Sequence, residues 1–253
     1  MGPVGDPERG AGGGGCSGGR GGAGPGTGGA VMRRAWAWVG VAAVAAGALA
    51  GCSIGPQQHR EVAYGVDEPV RVLVVQGATG DIEVVGGGSA VKVVERHQYR
   101  GKDPEAVHRV ADGTLTLSYR CSDCSVGYRV EVPEGTVVQL HNSTGDVRVS
   151  GMAGRVEAES STGQVVAKGL KASSVRLESS TGDVSASFAD APAEVTATSS
   201  TGSVRVTVPA GRTYAVEAET GTGDVHIGVE RSAAAERRIT ARTGTGDVTV
   251  AGA

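Results

Sequence analysis

An all-β chain folded as a single-stacked β-solenoid of about seven short two-strand rungs with an N-terminal β cap is what this sequence predicts, on three observations. A twelve-residue phrase recurs, clearest at Val175-Arg176-Leu177-Glu178-Ser179-Ser180-Thr181-Gly182-Asp183-Val184-Ser185-Ala186, with copies in frame from Val138, Val156, Val195, Val216 and Ile239. The phrase keeps its length while the segment after it grows, so successive starts lie 18 to 23 residues apart. Aromatic residues make up only 3% of the 253 residues, and Trp36 and Trp38 lie outside the repeats, so the core must be a thin one of Val, Ala, Leu and Ile.

Residues 1–31 are Gly-rich and lack apolar periodicity. Such a segment cannot bury enough surface to offset its ordering entropy, and it is expected to be a disordered or untranslated extension. Met32-Arg33-Arg34 followed by the apolar run Ala35 to Ala50 then has the layout of a secretory signal, residues 32–51. The run is shorter than the roughly 20 residues a membrane span needs. Its end, Leu49-Ala50-Gly51-Cys52, resembles the lipobox of bacterial lipoproteins. That resemblance implies a diacylated Cys52 as the mature N-terminus, a membrane partner held through the lipid anchor, and a place on the extracytoplasmic face of the cell membrane. Residues 52–60 then read as a polar linker and 61–253 as the solenoid domain.

A seventh copy of the phrase runs from Leu73 to Val84 and is set apart from the others by a Gly86-Gly87-Gly88 break. Val91 to Arg100 alternates, and Val107 to Arg120 alternates about Asp112-Gly113, the dipeptide most characteristic of a tight hairpin. A further strand, Ser125 to Val132, stops at Pro133, which has no N–H for a ladder. Residues 61–136 are thus an antiparallel or mixed β cap on the first rung. Asp103-Pro104 also suits the start of a short helix over 103–110.

From Val137 on, the first and third residues of each phrase are apolar and alternate with polar ones, which describes a strand with one buried face. The fifth residue (Asn142, Ser160, Ser179, Ser199, Thr220, Thr243) keeps the inward parity and predicts an internal ladder of small polar groups. After Thr-Gly the parity shifts by one, so the tenth and twelfth residues become the apolar pair. A parity shift at Gly marks a corner, because Gly accepts the positive φ that a sharp bend requires. The last phrase ends at Val250, which predicts an open rung over residues 239–250 that is masked by end-to-end self-association or by a partner, or else makes the isolated domain aggregate.

The run Tyr128-Arg129-Val130-Glu131-Val132-Pro133-Glu134-Gly135-Thr136-Val137-Val138, with Ser143-Thr144-Gly145-Asp146-Val147 and its repeats, resembles the bacterial putative-adhesin domain family, a β-solenoid domain of unknown function. The resemblance runs from about residue 61 to the C-terminus. It implies the fold and an extracytoplasmic setting, and it implies neither an enzyme activity nor site residues.

The residue after each corner Gly reads Asp146, Gln164, Asp183, Ser203, Asp224, Asp247. Stacked at ~4.8 Å these side chains form a column. Asp146, Asp183, Asp224 and Asp247 are ordinary turn residues first, a weak cation column second, and a paired acid and base last. Calcium wants 6–8 oxygens converging on a point, and the interrupted column does not supply them. Outside the cytoplasm Cys121 and Cys124 would close as a disulfide, with free thiols or chemistry as alternatives, since two thiols are short of the four ligands of a structural zinc. His59, His97, His108, His141 and His226 lack metal-ligand spacing, and no nucleophile elbow or phosphate loop occurs. No catalytic residue, metal or cofactor is therefore expected. A formal net charge of −3 without a basic patch argues against nucleic acid. The functional expectation is a non-enzymatic scaffold or adhesin-like surface facing a cell-envelope polymer or protein. An accessory sensor in envelope-stress signalling and a carbohydrate-active β-helix enzyme stand as the alternatives.

Overall fold

The computed structural model describes residues 56–253; the expected extension, signal segment and Cys52 lie outside the described residues. Strand β1 (Gln58–Val66) is followed by β2 (Val72–Thr79) and β3 (Ile82–Gly86), which carry the phrase at Leu73. Next come β4 (Val91–Tyr99), β5 (Glu105–Ala111), β6 (Thr114–Arg120) and β7 (Cys124–Val132). The main array supplies the pairs β8 (Val137–Thr144) and β9 (Val147–Ser150), β10 (Val156–Thr162) and β11 (Val165–Leu170), β12 (Ser174–Thr181) and β13 (Val184–Phe188), and β14 (Glu194–Thr201) and β15 (Val204–Val208). Its remaining members are β16 (Thr213–Thr222) with β17 (Val225–Gly228), the short β18 (Glu230–Arg231), and β19 (Arg238–Thr245) with β20 (Val248–Gly252).

The strand before each corner belongs to one ten-stranded sheet and the strand after it to the other. One sheet runs β1-β4-β7-β3-β9-β11-β13-β15-β20-β17, and the other β18-β16-β19-β14-β12-β10-β8-β2-β6-β5. Among the phrase copies, pairing is parallel and in phase: Val156 faces Val175, Ser160 faces Ser179 and Thr162 faces Thr181. A one-residue slip would turn every apolar side chain to solvent, so the alternation fixes this register. The inward rows of both sheets, such as Val175, Leu177, Val184 and Ala186, merge into one apolar core. Each rung thus buries its inward side chains only because neighbours cover both its edges.

The corners stack as closely as the strands. The seven corner glycines, Gly80, Gly145, Gly163, Gly182, Gly202, Gly223 and Gly246, all have φ between +127° and +146°. A Cβ on Gly163 would collide with the Gly145 carbonyl oxygen, and one on Gly182 with that of Gly163; the same holds up the column. Glycine is needed there twice over, for its dihedral and for its missing atom. The corner's polar groups are then satisfied between rungs. The Gly163 N–H donates to the Thr181 carbonyl at 2.9 Å, and the Gly163 carbonyl accepts the Ser179 hydroxyl at 2.9 Å. Ser160, Ser199, Thr220 and Thr243 repeat the second bond on Gly145, Gly182, Gly246 and Gly202 at 2.7–3.0 Å. The inward ladder expected from the fifth residues is therefore a set of hydroxyl-to-carbonyl bonds. In one rung Asn142 takes the role through its Nδ2, 2.8 Å from the Gly80 carbonyl. A Cβ on the facing Gly77 would strike Asn142 Oδ1, so the larger amide is accommodated by a glycine opposite.

Four expectations change. Residues 105–111 are strand β5, not a helix, because the hairpin at Asp112 (φ 51°) and Gly113 (φ 75°) folds them back onto β6. The copy at Leu73 is not set apart: β2 pairs with β8 and β3 with β9, so it stacks directly on the main array. The cap is more regular than expected, since β6 with β7 and β4 with β5 also bridge the two sheets and extend the stack past the seven phrases. The last phrase is not the open rung: β19 lies between β14 and β16, and β20 between β15 and β17. The open rung is the penultimate phrase, β16 and β17. The last two copies share the same corner, with an inward threonine hydroxyl, Thr-Gly and Asp, so the column accepts them in an order other than that of the chain.

The column predicts a contrast between two glycines of positive φ. Gly163→Ala meets both a forbidden dihedral and a backbone oxygen, and should cost about 1–3 kcal/mol. Gly169, at φ 60°, has open space around the added carbon. Its alanine variant should lose no more than ~1–2 kcal/mol, the dihedral cost alone. Urea midpoints of the two variants check the order.

Candidate functional site

The residues after the corner glycines join neighbouring rungs. Asp81 Oδ1 accepts the Asp146 N–H at 2.9 Å, and Asp146 Oδ1 accepts that of Gln164 at 3.0 Å. Asp183 Oδ1 accepts the Ser203 N–H at 2.8 Å, and Asp247 Oδ1 that of Asp224 at 3.0 Å. The carboxylates thus cap backbone donors of the adjacent corner, as turn residues do. Asp224 and Asp247 are neighbours as the spacing predicts, and Asp81 with Asp146 makes a second adjacent pair. Arg148 offsets that second pair, 2.6 Å from Asp146 and 3.5 Å from Asp81. Among the described residues no group of three or more His, Cys, Asp or Glu side chains is placed to hold a metal ion.

In the rung made by β6 and β7 the corner carries a disulfide in place of Thr-Gly. Cys121 and Cys124 are bonded, with Cα atoms 6.0 Å apart, and Asp123 between them has φ 57°. His141 and His226 are exposed on outward strand positions. His141 Nδ1 lies 3.1 Å from Glu159 on the neighbouring strand.

A cluster in the cap was not singled out in the sequence. Along β4 the inward row Val91, Val93 continues as Glu95 and His97, whose side chains are only 3% and 4% exposed. His97 Nε2 lies 3.0 Å from Glu95 Oε2, and its Nδ1 lies 3.0 Å from Asp103 Oδ1 in the segment after β4. The Tyr64 hydroxyl donates to Glu95 Oε1 at 2.6 Å, and Arg60 pairs with Asp103. The signal was present as two ionisable residues at inward parity; what sequence lacked was the partner residues, which come from β1 and the turn.

Electrostatics follow from this packing. The hydrogen bond from His97 holds the Asp103 carboxyl below its usual range; partial burial opposes this and Arg60 reinforces it. Burial, then the bond to Glu95, pushes the Tyr64 phenol far above its ordinary value. Burial also raises Tyr128, whose hydroxyl is buried without a partner among the described residues, and the Glu95 carboxylate adds to that shift. A histidine between two carboxyl groups has the composition of an acid–base site. Here every one of those polar atoms is already engaged and the imidazole is closed to solvent. The cluster therefore acts as a clasp, tying β1, β4 and the turn at Asp103 together.

The outward sheet faces are open to solvent. Across one sheet a single outward row runs His141, Glu159, Glu178, Thr198, Arg242, Glu219 on successive strands. Arg176 and Glu178 on one strand pair at 3.1 Å, and Arg242 bridges Glu217 and Glu219. An open cleft of about 530 Å³ lies beside the outermost rung, lined by residues including Val216, Glu217, Arg231 and Arg238.

Stacked two-strand rungs of constant phrase and variable return loop define a β-solenoid repeat protein. The chain belongs to the Toastrack DUF4097 family, whose model matches residues 64–251. No curated protein matches it. Solved structures to which the chain shows similarity include a putative cell adhesion protein from Clostridium sporogenes, 14% identical, covering 78% of this chain and 100% of that one with a TM-score of 0.48. A putative adhesin from Bacteroides fragilis is 15% identical over 78% and 97% of the chains, at a TM-score of 0.43. A putative lipid binding protein from Parabacteroides distasonis is 10% identical over 79% and 96%, at 0.33.

The clasp predicts a pH dependence. Because the folded-state pKa of Asp103 is lowered, its contribution is present at neutral pH and is lost as the pH falls through that depressed value. Asp103→Asn should therefore lower the urea midpoint at pH 7, and the gap from the parent should close on acidification below about pH 4, the ordinary aspartate range. A gap that is constant from pH 7 to pH 3 would show that the carboxylate charge plays no part.

Proposed function

We propose that this protein is a non-enzymatic, adhesin-like interaction protein of the cell envelope, anchored by a lipid on Cys52 and presenting its solenoid outside the membrane. The observation that carries the reading is the division of labour within each rung. Inward residues build the core, the corner residues bind one another, and the acid–histidine cluster is consumed in a clasp. That leaves the outward rows, exposed to solvent and paired only with one another, as the polar groups placed to meet a partner. The faces are long, nearly regular and mixed in charge, which suits an extended partner such as a cell-envelope polymer or a strand-rich protein. The lipobox-like Leu49-Ala50-Gly51-Cys52 supports the anchor, and the brief polar linker that follows it would hold the β1 end of the stack toward the membrane.

Two measurements test this. Intact mass of the membrane-extracted protein should give a chain that starts at a diacylglyceryl-modified Cys52; an unmodified chain starting at Met1 contradicts the anchor. Crosslinking on whole cells should capture one envelope component, and Glu159→Lys with Glu178→Lys should reduce that capture at least about tenfold while the fold is kept, since both side chains are solvated. Capture unchanged by the double variant, and by the matching reversal of Arg148 and Arg205 on the other sheet, would move the interaction off the outward faces.

A further inference from the structure

We propose that residues 215–228, the body of β16 and all of β17, form a detachable outer rung that opens as a unit over a solenoid end already completed by β19 and β20. The strand order is the first reason. The chain's last phrase is inserted beneath this rung, so the rung is an internal loop of chain, with β15 behind it and β19 ahead of it. It can lift away while both of its roots stay in place. Its tether to β15 is rooted by Tyr214, which is fully buried and donates its hydroxyl to the Pro209 carbonyl at 3.2 Å. The segment that follows β17 returns to that root, where the Ser232 N–H donates to the Tyr214 carbonyl at 3.1 Å.

Burial is the second reason. In the rung beneath, Ile239, Ala241, Val248 and Val250 are all fully buried. At the matching positions of the outer rung Val225 is 39% exposed, and Val216, Ala218 and Ile227 are only partly buried. Among the described residues, β18 covers the outer edge of β16 only at Thr213 and Tyr214, and no strand covers the outer edge of β17. The rung is therefore held from one side, by its two parallel ladders to β19 and β20, by the Thr220 hydroxyl on the Gly246 carbonyl (2.8 Å), and by the Asp224 N–H on Asp247 (3.0 Å). These bonds share one corner, so loss of the corner releases both strands together. What opening uncovers is a finished template: an apolar row, an unpaired corner carbonyl at Gly246 and a free Asp247 carboxylate. Those groups accept any strand pair with the Thr-Gly corner and an inward hydroxyl.

Hydrogen exchange of the whole protein, read by mass spectrometry, tests the proposal. Amides of residues 216–228 should exchange together and at least about a hundredfold faster than those of 240–250, as expected for a separately opening unit. Glu217 and Thr240 are direct register partners, so the double variant Glu217→Cys with Thr240→Cys provides a lock. When oxidised it should slow exchange across β17 as well as β16; when reduced it should restore the parent pattern. Equal protection of the two rungs, or faster exchange in 240–250, overturns the proposal. A lock that protects β16 alone overturns the claim that the rung moves as a unit.

Discussion

The fold depends on one constraint, the close approach of successive corners. From Gly145 on, each corner glycine lies against the carbonyl oxygen of the glycine in the adjacent rung, at a separation that leaves no room for a Cβ. That approach brings the corner N–H onto a threonine carbonyl of one neighbour and the corner carbonyl onto a serine or threonine hydroxyl of the same neighbour. An unmade bond at such a place costs about 1–3 kcal/mol, so the corner fixes two positions of the phrase together, the inward hydroxyl and the glycine, while the threonine contributes only its main-chain carbonyl. The aspartate after the glycine adds a side-chain acceptor for the following corner. The recurrence of the phrase is the recurrence of this bonding pattern.

The same constraint explains which parts of the fold were legible in the sequence. Alternation, the parity shift at Gly and the constant phrase length are all local, and they gave the strands, the corners and the buried rows residue by residue. Rung order is not local. Val216 to Ile227 and Ile239 to Val250 carry interchangeable corners and inward rows, so nothing in either phrase states which lies nearer to Val195. The choice is made by the tethers, with Tyr214 rooting one and the return segment after β17 supplying the other. In the cap, Asp103-Pro104 suited a helix start, and the Asp112-Gly113 hairpin overrode it by giving β5 a partner strand.

Site chemistry was legible in the same uneven way. The aspartates after the corner glycines could be assigned to turns because both their neighbours and their spacing were in the phrase. The clasp of Tyr64, Glu95, His97 and Asp103 could not, since it joins β1, β4 and a turn whose partners are separated in the chain and carry no repeat. Its role is to close the first end of the stack, where the phrase is absent and a covalent Cys121–Cys124 corner stands in for Thr-Gly. The two ends therefore differ physically. One is clasped and crosslinked, and the other is a bare rung with half-covered apolar residues.

That difference rests on the strand order, and disulfide formation between introduced cysteines tests it most directly. In the observed order Thr198 lies beside Arg242, and Glu219 lies one strand further out. The pair Thr198→Cys with Arg242→Cys should bridge on mild oxidation within a single chain, since direct neighbours in a sheet fall within the ~4.4–6.8 Å Cα separation that a disulfide spans. The pair Thr198→Cys with Glu219→Cys should not bridge. The reverse outcome, with Glu219→Cys bridging and Arg242→Cys failing, would place the phrases in chain order and contradict the account.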